Sequence, residues 1–252
     1  NNVIKNIIFY SLEKYASKYS DAIITLNEED YVAATKFKLK EKGKVYKING
    51  VGLNIGKFSD VKIDKEQQKK ALGLTKEDFM ILSVGELSKR KNHIVIIKAL
   101  SLLKNPNIHY YIAGEGNLKE FLKARAIDMG IGNQFHLLGR RSDINVLLKT
   151  ADLFCFPSLQ EGLSVALMEA VASGIPIIAS NIRGNVDIIE NNMNGFLIDA
   201  NGVEDFAEKI NKLYEDKQLR NKFAMQNEKI IEKYSISKIN DTMKKIYQEI
   251  LG

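Results

Sequence analysis

The sequence predicts an α/β protein built on a doubly wound parallel sheet. Three observations predict it. Short β-type runs alternate with helix-length patterns along most of the 252 residues, which indicates βαβ units with right-handed crossovers. Several runs, among them Ile23-Ile-Thr-Leu26, Met80-Ile-Leu-Ser-Val84 and Leu153-Phe-Cys-Phe156, are apolar nearly throughout, as strands covered on both faces are. Glycines and charged residues gather where these strands end and helices begin, and the carboxyl ends of parallel strands are where open α/β sheets bind ligands.

In order, the strands fall at 22–26, 44–48, 79–84, 109–113, 134–138, 152–156, 176–179 and 195–198. The helices lie at 28–40, 92–103, 118–129, 144–150, 164–173 and 186–190. The helix at 164–173 ends at Gly174, and Pro176 opens the next strand. From Val203 to Gly252 the pattern is helical without a further strand, broken near Tyr234, and Ser235 is placed to cap the last helix. Ile48-Asn-Gly-Val-Gly-Leu-Asn-Ile-Gly56 is rich in glycine and asparagine and reads as a turn or hinge. The stretch before it holds only two strands and two helices, too few for an independent domain, so the chain is expected to begin inside a larger fold.

Hydrophobic residues make up 45% and charged residues 27%, proportions of a globular rather than a disordered chain. No apolar run approaches the roughly 20 residues that cross a bilayer, and residues 1–15 are too polar for a signal peptide. The lone cysteine, Cys155, sits in an apolar strand and reads as a buried reduced thiol, which suits a cytoplasmic setting. Net charge is +6 and the pI is near 9.1, with lysines spread along helices. That spread reads first as a solvated surface; a phosphate-bearing ligand or an anionic membrane surface are the other readings. With no zinc-finger spacing, aromatic binding motif or long basic tract, no nucleic-acid partner is expected.

Four segments after strand ends carry candidate chemistry. In Val84-Gly-Glu-Leu-Ser-Lys-Arg-Lys-Asn-His93, Gly85 permits close backbone approach. Lys89, Arg90 and Lys91 precede a helix and make an anion site suited to phosphate, against the plainer reading of surface solubility. In Ala113-Gly-Glu-Gly-Asn117, Gly114 and Gly116 form a partial GxG, a backbone platform near a nucleotide or a tight turn. Lys119 replaces the third glycine of a dinucleotide fingerprint and Leu138-Gly-Arg-Arg141 lacks a ribose acid, which disfavours NAD. Gly139-Arg-Arg-Ser-Asp143 precedes a helix that Ser142 or Asp143 would cap; Arg140 or Arg141 would stack on a planar base, or be a solvated pair.

The fourth segment, Glu161-Gly-Leu-Ser-Val-Ala-Leu-Met-Glu169, places two carboxylates around an apolar stretch. Gly162 and the N–H groups of the following helix would face a pyrophosphate, whose charge the helix dipole favours. Glu161 and Glu169 are acceptors for a hydroxyl-rich ligand; the plainer reading makes one a helix-dipole partner and the other an exposed helical residue. His93, His109 and His136 lack metal-ligand spacing, and His93 reads equally as a helix-start or a functional residue.

These segments, in this order and spacing, resemble the retaining glycosyltransferases of family 4, which have the GT-B fold. The resemblance runs from about Val45 to the carboxyl end, and its most specific element is the Glu-x7-Glu motif, Glu161 and Glu169. It implies a Rossmann-like donor domain over 57–233, the end of an amino-terminal acceptor domain plus a hinge over 1–56, and a crossover helix over 234–252. It further implies that Glu161 binds donor-sugar hydroxyls, that the backbone of Gly162, Leu163 and Ser164 lines the sugar and diphosphate, and that Glu169 holds the ribose. Lys91 matches the lysine that neutralises the diphosphate, and the base would lie near Gly139–Arg141. One departure is Glu86 where many members have arginine; Arg90 would take over its role.

The expected activity is transfer of a hexose from a nucleotide sugar, UDP-linked on family weighting, to a saccharide or lipid-linked saccharide with retention, in bacterial surface polysaccharide synthesis. No metal or cofactor is expected, because fixed cations and a helix amino terminus stabilise the leaving group. With most of the amino-terminal half missing, the isolated chain is expected to bind donor but transfer poorly, leaving apolar surface uncovered near both ends. A peripheral place on the inner membrane face is the matching location. The alternative is a non-catalytic nucleotide-sugar-binding module that needs a partner chain; a nicotinamide-dependent oxidoreductase is a distant third.

Overall fold

The computed structural model describes residues 3–251, with side chains from residue 7 on. The first elements are α1 (Val3–Ala16), β1 (Ala22–Thr25), α2 (Glu28–Ala34), β2 (Lys44–Lys47), α3 (Gly56–Ser59) and α4 (Lys65–Ala71). Then follow β3 (Phe79–Val84), α5 (Ile94–Leu103), β4 (Ile108–Ala113), α6 (Lys119–Asp128), β5 (Phe135–Gly139), α7 (Ile144–Thr150) and β6 (Leu153–Phe156). The remainder is α8 (Val165–Ala172), β7 (Ile177–Ser180), β8 (Phe196–Ile198), α9 (Val203–Glu215), α10 (Lys217–Ile230) and α11 (Ile236–Leu251). They form two compact units, Leu53–Glu232 and the combination of Asn1–Gly52 with Lys233–Gly252.

In the larger unit six strands pair, all parallel, in the order β5-β4-β3-β6-β7-β8. The chain starts in the middle at β3, winds outward to β5, then crosses back to β6 and winds the other way. Two strands that begin opposite windings leave a crevice beyond their carboxyl ends. Here that crevice lies between β3 and β6, so the loops after Val84 and Phe156 meet there. Side chains alternate along each strand. Phe79 and Ile81 join Val95, Ile96, Ala99 and Leu100 of α5 and Phe206 and Ile210 of α9 in one core, while Met80, Leu82, Phe154 and Phe156 are buried on alternate positions. Each buried aliphatic or aromatic side chain of this kind stabilises the unit by about 1.5–3 kcal/mol.

In the smaller unit β1 and β2 pair in parallel, Ala22 opposite Lys44. The apolar side of α11, Ile239 and Ile246 with Met243 and Ile250, packs on Ile48, Ile24 and Tyr46. Glu249 of α11 bonds Tyr46 Oη at 3.0 Å and pairs with Lys44. Ser235 Oγ accepts from the Lys238 amide at 3.4 Å, the cap expected for this helix. Along α1, Ile7, Ile8, Phe9, Leu12 and Tyr15 are exposed. Among the described residues no helix is long and apolar enough to cross a membrane.

Every expected strand forms, within two residues of its expected ends. Two helices differ. The helix expected over 28–40 stops at Ala34, because Lys36 and Phe37 donate to Ala33 and Ala34 and tighten the chain into turns. No helix forms at 186–190. There Asn194 takes the Glu190 amide at 2.7 Å and donates to the Ile188 carbonyl, and asparagine side chains of this kind compete with helical bonding. Helices α3 and α4 were not expected. For α4 a signal existed: Asp64 caps the Gln67 amide at 3.0 Å ahead of Lys-Glu-Gln-Gln-Lys-Lys.

Candidate functional site

The loop after β3 is shaped by glycine and by one left-handed asparagine. Lys89–Lys91 make a 3-10 turn that ends at Asn92, whose φ is 54°. Asparagine tolerates this conformation better than most residues. The Asn92 amide then donates to the carbonyls of Pro157 (3.1 Å) and Ala200 (2.7 Å), tying the turn to the loops after β6 and β8. The Leu159 amide donates to the Arg90 carbonyl at 2.8 Å. These bonds bring the loops after β3 and β6 together at the winding reversal.

The side chains meet there. Glu161 Oε1 accepts from Lys91 Nζ and from Arg90 Nη1, each at 2.8 Å. Arg90 also donates to the Gln160 carbonyl at 3.1 Å. Lys91 and Glu161 side chains are each only 10% exposed, whereas Arg90 is 46% exposed. The Lys91 ammonium lies 4.5 Å from the centre of the Phe156 ring, a cation–π contact strengthened by the scarcity of water. Two cations therefore converge on one carboxylate, leaving an excess positive charge in a partly dry place. Gly85 faces the stem of Lys91, since a Cβ on it would sit 3.0 Å from Cε.

Gly114 and Gly116 serve packing between loops. A Cβ on Gly114 would lie 1.9 Å from the Gly85 carbonyl oxygen, and one on Gly116 2.4 Å from that of Leu87. Amides cross the same seam: Leu87 donates to Glu115 at 2.9 Å and Leu118 to Leu87 at 3.1 Å. Further along the sheet edge, Gly139 takes a φ of 66°. Arg141 is bound by both oxygens of Asp143, Nε at 2.8 Å and Nη2 at 2.5 Å. Asp143 holds the capping position of α7 but makes no cap bond, its carboxylate being used by Arg141, and Ser142 does not cap either. Both arginines are exposed, and the Arg140 guanidinium is uncommitted among the described residues.

After Glu161 the backbone of Gly162 is exposed, with open space out to 4 Å where a Cβ would sit. Leu163 is half-buried, and Ser164 is buried and caps α8 by accepting from the Leu167 amide at 3.4 Å. Glu169 is half-buried on α8, and its carboxylate makes no hydrogen bond or ion pair among the described residues. Burial pushes its carboxyl up from the usual range, partly offset by Lys57. An unpaired, half-buried carboxylate beside a crevice is a mark of a binding site. Sequence reasoning missed Gly184 and Arg183. Gly184 has a φ of 80° and a Cβ there would lie 1.7 Å from the Gly162 carbonyl oxygen, while Arg183 Nε donates to the Glu161 carbonyl at 3.4 Å. The Arg-Gly-Asn run after β7 was a turn signal that could have revealed them.

His93 is buried behind the loop and lies at the start of α5 without capping it. His109 and His136 lie together near the amino ends of β4 and β5, away from the winding reversal, their rings stacked at 5.5 Å. Cys155 is fully buried and free, and burial pushes its thiol pKa up, as an inert thiol requires. No group of three or more His, Cys, Asp or Glu is arranged to hold a metal among the described residues.

A doubly wound unit with cations, glycines and carboxylates gathered by its winding reversal has the chemistry suited to a phosphate-bearing ligand. The family is narrower than that. A model of the glycosyl transferases group 1 matches residues 64–230, and the chain belongs to this family. It is 32% identical over 251 residues to the UDP-Gal:alpha-D-GlcNAc-diphosphoundecaprenol alpha-1,3-galactosyltransferase of Escherichia coli, covering 97% of this chain and 64% of that protein. It is 28% identical over 258 residues to the N,N'-diacetylbacillosaminyl-diphospho-undecaprenol alpha-1,3-N-acetylgalactosaminyltransferase of Campylobacter jejuni, covering 99% of this chain and 66% of that protein. The crystal structure of Anabaena Alr3699/HepE in complex with UDP is similar with a TM-score of 0.85 at 21% identity, over 93% of this chain and 65% of that one. The α/β fold is thus that of the GT-B glycosyltransferases. The chain spans about 64% of the length of the E. coli relative.

Proposed function

We propose that the unit Leu53–Glu232 binds a UDP-sugar and serves transfer of its hexose, with retention, to a lipid-linked saccharide in bacterial surface polysaccharide synthesis. The observation that carries this reading is the convergence of Lys91 and Arg90 on Glu161 beside the exposed Gly162 backbone. Lys91 lies behind a glycine loop, a built place for a diphosphate whose charge it neutralises. Glu161 then turns toward sugar hydroxyls, with Gly162–Ser164 amides and the start of α8 on the phosphates. Glu169, which no protein group pairs, takes the ribose hydroxyls, and the loop at Gly139–Arg140 takes the base. Retention follows when the acceptor hydroxyl attacks on the face the diphosphate leaves: the C1–O bond to UDP breaks, the new glycosidic bond forms, and the hydroxyl proton passes to the departing phosphate. Fixed cations stabilise the charge developing on UDP. Support for the donor and acceptor classes comes from the substrates for which the E. coli and C. jejuni relatives are named and from the UDP in the Anabaena structure.

Calorimetric titration with UDP-, GDP- and ADP-sugars tests this. We expect one donor to bind, and Lys91→Ala to weaken it by roughly tenfold or more, the worth of a charge-assisted bond of about 1.5–3 kcal/mol. Binding of no donor, or full binding by Lys91→Ala, overturns the reading.

A further inference from the structure

Behind the phosphate loop runs a closed chain of buried polar groups. His93 Nε2 lies 3.3 Å from the Glu86 carbonyl oxygen, and Nδ1 lies 3.0 Å from Tyr110 Oη. Tyr110 Oη is 2.9 Å from Ser83 Oγ, which is 2.5 Å from the Cys155 carbonyl oxygen. His93, Tyr110 and Ser83 are each at most 3% exposed, so bulk solvent does not reach them. Both ends of the chain are carbonyl oxygens, which only accept. Four links therefore need four protons. A neutral imidazole, a phenol and a hydroxyl supply three. One link is empty while His93 is neutral, and the longest, to Glu86, is the one the geometry marks. An imidazolium fills all four.

The Glu86 carbonyl, which also accepts from the Ser88 amide at 2.9 Å, belongs to the loop between Gly85 and Lys91, so this link adds a tie between that loop and the buried chain. The charged group that faces His93 is Lys91, which opposes its protonation; Tyr110 beside it is neutral, and the Glu86 side chain is exposed. Desolvation and Lys91 hold His93 neutral in the free protein, with a pKa near 4. A diphosphate on Lys91 removes that opposition and adds negative charge nearby. Resting on the donor reading above, we propose that His93 is a positioning residue that takes up a proton when a diphosphate occupies the Lys91 loop, and that the imidazolium then locks the Glu86 carbonyl and the phosphate-binding backbone.

Tyr110→Phe gives the sharpest check. Without the phenol, two links remain, Nε2–H to Glu86 and Ser83 to Cys155, and two protons satisfy them. No uptake is then needed. The experiment is NMR of the chain carrying 13Cε1-labelled histidine, titrated across pH with and without saturating UDP, with inorganic pyrophosphate as the second probe. His93→Gln assigns the His93 signal, and His109 and His136 serve as internal references. We expect UDP and pyrophosphate to move the His93 resonance to the imidazolium position at about pH 6, leaving the other two histidines in place. Tyr110→Phe should bind UDP without this shift. His93→Gln, which keeps an N–H for Glu86 but cannot titrate, should lose the several-fold gain in UDP affinity that the wild type shows between about pH 8 and about pH 6. Bound UDP with a neutral His93, or an unchanged shift in Tyr110→Phe, overturns this inference alone. If neither probe binds, the donor reading falls and takes this inference with it. The wild-type spectrum decides the matter even where a variant does not fold.

Discussion

At the scale of single residues, the two carboxylates of the Glu-x7-Glu motif occupy different environments and call for different tests. Glu161 is neutralised by two cations, while Glu169 is half-buried with no partner. Burial raises the Glu169 pKa, so its protonated form suits the fold. The associated stability is present below the unfolded pKa and is lost as pH rises through the raised folded value. At neutral pH the charge is therefore a cost that the free protein carries. Glu169→Gln is expected to keep or slightly raise stability, within about 1 kcal/mol, while weakening UDP by roughly tenfold. Thermal unfolding and calorimetry on the same preparation check both halves. Glu161→Gln should spare UDP and weaken only the intact UDP-sugar, since its proposed partner is the sugar; equal loss for both ligands counts against that role.

At the scale of elements, the site is a set of loops packed through glycine. Gly184 and Gly162 look alike in sequence but differ in what surrounds them. A Cβ on Gly184 meets a carbonyl oxygen at 1.7 Å on a backbone with φ of 80°, while one on Gly162 meets nothing. Gly184→Ala is expected to destabilise by more than about 2 kcal/mol, from a left-handed alanine and a forced backbone shift. Gly162→Ala is expected to fold within about 0.5 kcal/mol of the wild type and to lose donor affinity, its methyl group filling space meant for ligand. Chemical denaturation and UDP-sugar titration of the pair separate the two cases. The same distinction explains what could be read in advance. The partial GxG at Gly114 and Gly116 was visible, yet whether it faced ligand or protein depended on Gly85 and Leu87, some thirty positions away. Likewise the Arg140-Arg141 pair was visible, but not that Asp143 engages one member.

Across the whole larger unit, its two sheet ends carry opposite chemistry: cations and glycines at the carboxyl ends, and a histidine pair near the amino ends. His136 stacks on Tyr111 at 4.3 Å, and His109 Nδ1 lies 3.3 Å from His136 Nε2. Burial lowers both pKa values, and the neighbouring His109 lowers that of His136 further. With folded values below the unfolded value of about 6.5, stability is full above that pH and is lost as pH falls through the folded values. Asp78 and Asp152, whose pKa values are lowered, add losses only further into acid. Denaturant midpoints at about pH 7.5 and about pH 5.5 should therefore fall for the wild type and fall less for His109→Gln; an equal fall shows that other groups govern acid sensitivity. The sequence by itself determined the alternation of strands and helices, the apolar character of the strands and the presence of Lys91, Glu161 and Glu169, because hydrophobic period and local spacing are properties of neighbours in the chain. Only the tertiary structure decided that β3 and β6 lie side by side, that Lys91 and Arg90 share the Glu161 carboxylate, and that His93 closes a proton-short chain onto Glu86. Those contacts join residues up to about seventy positions apart, and winding direction and burial, which set them, are properties of the packed sheet rather than of any segment.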